Sequence, residues 1–557
     1  MENRISREEA EKLDKEMLIT LLLSMQDTAE TFKEQAECLE IQLADMNHNL
    51  KILMEQFQVA QNHRYGRSSE KMKYQTEEYE QLNIFSMYDQ CFNEAEHTVE
   101  NTEDTEEINV KGYKKKKTKG KRDADLSGLP HAEPVVSELT HEELVELLGE
   151  NYKRMPDEVY RHLEFHPGTF EVQEYHVAVY KSADGERFAH AKRPTADLLK
   201  NSIASPSLVA AILNYKYVNG LPVYRLEQEF HRSGVEISRQ VMCNWVIRVA
   251  ERYLSLVYDR MKRILLNQAV IQADETTVEV TKDGRKAGSK SYMWVYSTGE
   301  YDSSGKRVVL YDYRKTRATE HLKDFLGEYS GILVSDGYQS YHTLEKEKDD
   351  LTVAGCYAHA RRYFANAVKA RKRSMTDSEI KKTVAYQALK QIAAIYKIEA
   401  DLKELSAEER LEQRNLSVKP LVEAFFEWVR VKQDQVPAQS ETGKGLSYCL
   451  NQEKYLKIFL TNGNVPIDNS SSERSIRPFC IGRKNWLMID TIAGAEASAI
   501  VYSIAETAKA NNLKPYEYFK YLLTEIPKYQ DEKSLTIFDE FLPWSESLPS
   551  NIRKPKK

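Results

Sequence analysis

The six cysteines, Cys38, Cys91, Cys243, Cys356, Cys449 and Cys480, include no CxxC pair. That argues against a disulfide framework or a cysteine-rich zinc site, and fits a reducing cytoplasm. Long apolar runs are missing too. The longest near the start, MLITLLLSM at residues 17–25, falls far short of the roughly 20 residues a membrane span needs. Acidic residues precede it in place of a basic leader, so neither export nor a membrane partner is expected. A positive balance is also absent: the net charge is -7 over 557 residues, which argues against a simple nucleic-acid coat protein. It predicts weak non-specific DNA binding at physiological salt. With 41% hydrophobic residues and 10% aromatics the chain can bury real cores, and its length suggests three or more domains.

Glycine and proline are absent from residues 18–60, where apolar residues recur at alternating spacings of four and three. Leu18, Leu22, Met25, Ala29, Phe32, Ala36, Leu39, Leu43, Met46, Leu50, Leu53, Phe57 and Ala60 form a heptad seam, the pattern of a self-associating coiled coil. A long amphipathic helix folded back on its own chain would give the same string. HRYGRSSEK at 63–71 then breaks the helix at Gly66, and an acidic stretch leads to KGYKKKKTKGKR at 111–122, with eight cations. Such a run cannot pack. It reads as a mobile linker that either serves solubility alone or grips phosphates without reading sequence.

From 126 to 194 the pattern turns to short alternating strands. His131, His162, His166, His176 and His190 lie there without a usual ligand spacing beside cysteines, so ordinary surface or core histidines are expected. Helices resume at Ser205. In LPVYRLEQEFHRSGVEISRQVMCNWVIRVAERYL one helix ends near His231, Ser233-Gly234-Val235 makes the turn, and Ser238 caps a second helix. That helix is expected to carry Val241, Trp245 and Val249 inward and Arg239, Gln240 and Asn244 outward. The string fits a helix-turn-helix whose outer face reaches base edges, and equally a plain helical hairpin.

After Asn267 the period becomes two. AVIQADETTVEV is an apolar strand interrupted by Asp274, and YMWVYSTG and RVVLYDYR read as the next two strands. HLKDFL reads as a helix, GILVSDGYQSY as a strand ending at Asp336, and LTVAGCYAHARRYF as a strand entering a helix. This is the order of an RNase H-like α/β fold, with both acids on neighbouring central strands. A carboxylate on a buried strand is costly unless paired or bound to a metal, so two together suggest a Mg²⁺ site. In PIDNSSSERSIRPFCIGRKNWL, Asp468 and Asn469 mark a helix start. Glu473 then falls in the first turns as a third acid, with Ile476 and Phe479 anchoring the helix.

The strings QADETTVEV, SDGYQSY, CYAHARRYF and PIDNSSSERSIRPFCIGRKNWL, in this order and at these separations, resemble the insertion sequence 66 transposase family. The resemblance spans roughly residues 126–527. It implies DDE chemistry, with Asp274, Asp336 and Glu473 holding two Mg²⁺ ions, for which Mn²⁺ can substitute. Asp274 would bridge both ions. The implied partners are DNA, as terminal inverted repeats and as target, and a second copy of the chain through the coiled coil. Accessory proteins of the same element could instead use that helix. A cytoplasmic, nucleoid-associated place follows. Asn469, Arg474, Arg477, Arg483 and Lys484 could hold the DNA backbone, with Arg361 and Arg362 beside them, and Tyr338 could stack on a displaced base. A polar helix face and a strand-end tyrosine are the plainer reading of each.

Cys356 and His359 have the C-x2-H spacing of this and related transposases. Two ligands do not make a zinc site, so a structural or DNA-end-positioning role is expected. The family's cysteine-rich zinc module has no cysteine here between 126 and 194. Zinc is not expected. The strands can keep the module's shape without the ion, or end recognition rests on the helix-turn-helix and the basic linker.

The fold class expected is therefore multidomain α/β plus α. An N-terminal coiled coil (1–63) and a linker (64–125) precede a small β-rich module (126–195) and a helix-turn-helix (196–262). The RNase H-like catalytic core follows in two parts (263–366 and 441–510) around a helical insertion (367–440), before a C-terminal region (511–557). A catalytically silent DNA-binding regulator derived from a transposase is the rival reading, and all three acids stand against it. A two-carboxylate glycosidase leaves the coiled coil, basic run and helix-turn-helix unexplained.

Overall fold

The computed structural model describes residues 14–65, 142, 168–173, 179–181, 188–190, 198–200, 202–286, 288–371, 375–529 and 534–555. The basic run at 111–122 and most of the expected β-rich module, with all its histidines except His190, lie outside these. The chain divides into two compact units.

The first unit joins the N-terminal helix α1 (Lys15–Tyr65) to residues Tyr258–Ser503. Without glycine or proline α1 runs unbroken for 51 residues. Its seam residues Leu22, Met25, Phe32, Leu43, Met46, Leu50, Leu53 and Phe57 are each at least 55% exposed.

In the second unit a two-stranded antiparallel ribbon, β1 (Val179–Lys181) and β2 (Phe188–His190), precedes three helices: α2 (Pro206–Leu213), α3 (Val223–Arg232) and α4 (Arg239–Val249). Ser205 caps α2, where proline takes the first turn, as its missing N–H permits. Gly234, at φ +79°, makes the turn between α3 and α4, and Ser238 caps α4 by accepting from the Val241 amide. Met242, Trp245, Val246 and Val249 are buried while Arg239, Gln240 and Asn244 are exposed. Val241, expected inside, is 39% exposed. One residue is 100° of helix, and Met242 takes the inward place.

The centre of the first unit is a mixed sheet. After α5 (Ser255–Leu266) come β3 (Val270–Lys282), β4 (Lys290–Thr298) and β5 (Val309–Arg314), a meander. Helix α6 (Thr319–Leu326) leads to β6 (Gly331–Val334), α7 (Gln339–Glu347) to β7 (Leu351–Ala354), and α8 (Tyr357–Arg371) follows. The order across the sheet is β5-β4-β3-β6-β7, with β3, β6 and β7 parallel and β4 antiparallel to its neighbours. The strands and α6 and α8 lie where the periodicity puts them. Helix α7 was not expected, because QSYHTLEKE has too few apolar residues to signal an amphipathic helix. Its Tyr341 and Leu344 are nonetheless buried.

Between α8 and the next sheet-packing helix lie α9 (Asp377–Lys382), α10 (Val384–Asp401), α11 (Ala407–Gln413), α12 (Lys419–Gln433) and α13 (Glu441–Asn451), the last beyond the bound expected for the insertion. Ile392, Val422, Phe425 and Val429 share one apolar core with Phe364 and Val368 of α8. An ion pair is sealed inside: Arg414, with no exposure, meets Glu399 at 2.7 Å and also donates to the carbonyls of Phe459 and Val465. Then α14 (Ser470–Trp486) returns to the sheet on buried Ile476 and Phe479, and β8 (Ile489–Thr491) extends alongside the outer end of β3.

Candidate active site

Register places the first two acids side by side. Gln272 of β3 pairs with Val334 of parallel β6, and Val334 with Ala354 of β7. Two residues further along each strand direction stand Asp274, Asp336 and Cys356. Gly337, at φ +87°, then turns the chain away, and an added Cβ would come within 3.0 Å of the Gln452 side chain. Helix α14 lays Glu473 over the same edge. Burial raises the Asp274 carboxyl well above its ordinary range, and the charges of Glu275, Glu473 and Asp336 push it further.

Each of the other two acids faces an arginine. Arg362 Nη2 lies 3.3 Å from both oxygens of Glu473, and Arg317 Nη2 lies 3.8 Å from Asp336 Oδ2. Arg317 is held from behind. It pairs with Glu275, a side chain only 2% exposed that also accepts from Tyr341 at 2.7 Å. Burial raises the Glu275 carboxyl, and Asp336 adds to that, while Arg317 and Tyr341 oppose it. The Arg317 guanidinium covers the Tyr338 ring at 3.4 Å, so one face of the ring expected to stack on a base is occupied. Glu275, Arg317 and Tyr341 were not anticipated. The only sequence signal was a second acid beside Asp274 on an apolar strand.

Asn469, expected to hold the DNA backbone, is not on the surface. It is fully buried, and all its polar groups are engaged. Its Nδ2 donates to the Ala273 carbonyl at 2.7 Å, its Oδ1 accepts from Gln272 Nε2 at 3.3 Å, and its amide points at Cys356 Sγ at 3.1 Å. It ties α14 to β3 and β7. The capping is left to Asp468, whose Oδ1 accepts from the Ser470 amide at 2.9 Å and Oδ2 from Tyr396 at 2.6 Å.

Arg483 donates to Thr276 and Thr277 at 3.1 and 3.4 Å and fixes the far end of α14 to β3. Arg477 and Lys484 are exposed, Arg361 and Arg474 half-buried. His359 Nδ1 lies 3.7 Å from Glu473 Oε1, and burial and the Arg362 charge lower the imidazole's proton affinity. Arg239, Gln240 and Asn244 belong to the second unit.

Among the described residues no helix is long and apolar enough to cross a membrane. Residues 52–133 match the family model described as Transposase C of IS166 homeodomain, and residues 503–544 the IS66 C-terminal element. The chain is 29% identical to Uncharacterized protein y4qI of Sinorhizobium fredii (strain NBRC 101917 / NGR234) over 63% of its own length and 64% of that protein's. It is 25% identical to Uncharacterized protein y4hP of the same organism, over 71% and 72% of the two lengths. The model described as Transposase IS66 family matches residues 201–497, just over half of the chain, and with the motif-bearing strands and helix inside that span the chain belongs to the insertion sequence 66 family of transposases.

Proposed function

We propose that the chain binds the terminal inverted repeats of its element and carries out metal-dependent cleavage and transfer of DNA strands on an RNase H-like core. One observation carries this reading: Asp274 and Asp336, distant in sequence, stand just past the paired stretch of the parallel strands β3 and β6, and Glu473 of α14 is near enough that its charge, like that of Asp336, raises the proton affinity of Asp274. The strand order, with β4 alone antiparallel to the rest, supports the RNase H-like assignment.

The chemistry of these residues suits hard divalent cations, although among the described residues the three ligand atoms that lie within 4.8 Å of one another are those of Cys356, His359 and Glu473, so the three acids would have to draw closer around the ions. Three carboxylates that repel one another at a half-buried edge offer oxygen ligands and gain from a positive charge among them. Asp274, Asp336 and Glu473 would hold two ions of Mg²⁺ or Mn²⁺. When bound, such ions supply activation of water or a 3′-OH and stabilisation of the leaving oxygen in an in-line displacement.

The remaining work falls to the chain's own side chains. Arg317 and Arg362 neutralise Asp336 and Glu473 in the resting protein and lie beside them to draw in a phosphodiester. Arg477 and Lys484, exposed along α14, would hold the DNA backbone, with Arg361 and Arg474 at its flank. Arg483 and Asn469 keep α14 on β3, so Glu473 stays aligned with Asp274. End recognition would come from Arg239, Gln240 and Asn244 on the open face of α4. The exposed seam of α1 supports pairing with a second copy, as joining two DNA ends requires more than one active site.

The test is strand transfer on a duplex carrying the ends of the parent element, with Mg²⁺ or Mn²⁺, comparing wild type with Glu473→Gln. Joining that needs metal and is abolished by the substitution is expected. End binding without cleavage by either protein would favour the silent regulator.

A further inference from the structure

The C-x2-H pair lacked a third ligand in the sequence, and the fold supplies one. Cys356 Sγ, a ring nitrogen of His359 and a carboxylate oxygen of Glu473 all lie within 4.8 Å of one another. Cys356 ends the β7 turn, His359 stands on the first turn of α8, and Glu473 arrives on α14. His359 Nδ1 is buried without a hydrogen-bond partner, 3.7 Å from Glu473 Oε1. That spacing is close to the edge of a tetrahedron with metal–ligand arms of about 2.1–2.3 Å.

Burial and the charges of Asp468 and Glu473 raise the Cys356 thiol well above its ordinary range, opposed by two backbone amides, so a bound metal ion has to displace the proton. The backbone amides of Asn469, at 3.1 Å, and of His359 both point at Cys356 Sγ, leaving the sulfur able to bind a metal while accepting them. His359 and Glu473 side chains are 21% and 22% exposed, while Cys356 is fully buried behind them. Sulfur and imidazole favour Zn²⁺ or Co²⁺ over Mg²⁺, which demands oxygen ligands.

We propose that Cys356, His359 and Glu473 form a second, softer metal site that takes Zn²⁺, with water as fourth ligand, and that this withdraws Glu473 from the acid cluster. On binding, the Cys356 thiol gives its proton to solvent and Arg362 releases the carboxylate. The site acts as a zinc-sensitive brake. This consequence, unlike the binding itself, rests on the strand-transfer reading above.

The full-length protein, reduced and metal-free, is titrated with Co²⁺ and its absorption followed. A thiolate-to-cobalt charge-transfer band with the visible bands of four-coordinate cobalt is expected. Stoichiometric Zn²⁺ should remove these bands, and a large excess of Mg²⁺ should not. Both Cys356→Ser, nearly equal in size to the native residue, and His359→Ala should lose the charge-transfer band, with thermal melting showing that they fold. No such band in wild type, or a band that survives both substitutions, overturns the site. Zinc inhibition of strand transfer, taken relative to each protein's own zinc-free rate, should be strong in wild type and weak in Cys356→Ser. Equal inhibition overturns the brake. A protein that shows the band but never joins DNA would instead overturn the strand-transfer reading and leave the metal site standing.

Discussion

Replacing Asn469 by alanine separates a DNA contact from a structural tie. The side chain joins α14 to β3 through two bonds, to the Ala273 carbonyl at 2.7 Å and from Gln272 Nε2 at 3.3 Å. Its loss leaves the carbonyl without this donor, while Gln272 keeps only the Asp468 carbonyl at 3.4 Å as a long substitute on that side. A buried polar group stripped of its partner costs about 1–3 kcal/mol, so the pair should cost about 2–4 kcal/mol. For a unit of this size that lowers the melting temperature by roughly 3–8 °C. Glu473 lies one helical turn further on, so strand transfer should fall even where the variant stays folded. Binding to a non-specific duplex, measured by fluorescence anisotropy well below the melting range, should not change. A variant that melts with wild type yet binds DNA several-fold more weakly would refute the reasoning and restore Asn469 to the DNA surface.

Three further outcomes are expected. Arg362→Ala removes a partly exposed partner of Glu473, worth about 0.5–1 kcal/mol, so Mn²⁺ affinity by calorimetry should rise by roughly two- to fivefold; an unchanged or weaker affinity would count against competition between the guanidinium and the ions. Folded Asp274 keeps its proton to higher pH than the unfolded residue, so its contribution to stability is full at low pH and is lost as pH rises from the ordinary carboxylate range through the raised folded value. In chelator, Asp274→Asn should therefore melt above wild type at neutral pH and lose that advantage in acid; a constant offset across the titration would contradict the assignment. Glu399→Ala strands the buried Arg414 charge and should cost about 3–5 kcal/mol in urea unfolding, much of it regained with Arg414→Met added; a small single-variant loss would mean that the carbonyls of Phe459 and Val465 satisfy Arg414 unaided.

The sequence by itself determined the elements whose signal is local. Alternation marked β3, β4 and β5, the heptad spacing marked α1, and Ser238 and Gly234 marked the ends of the two helices they separate. Asp274 and Asp336 stood out as candidates because a charged residue is out of place on an apolar strand, and Glu473 because the expected fold called for an acid-bearing helix. Helix α7 escaped because its stability comes from burying Tyr341 and Leu344 rather than from a repeating apolar face.

Only the tertiary structure decided who partners whom. Glu275 meets Arg317 and Tyr341 across 42 and 66 residues of chain, separations over which no local pattern carries information. Asn469 reads as a polar residue at a helix start, and only the packing of α14 on β3 makes it a buried tie. The phase of α4 turned on a single residue, which packing settled in favour of Met242 over Val241. Cys356 and His359 announce themselves by spacing, yet their third neighbour, Glu473, comes from beyond the helical insertion. Propensity and periodicity are properties of neighbours along the chain, whereas burial, charge pairing and ligand convergence arise only when distant segments are packed together.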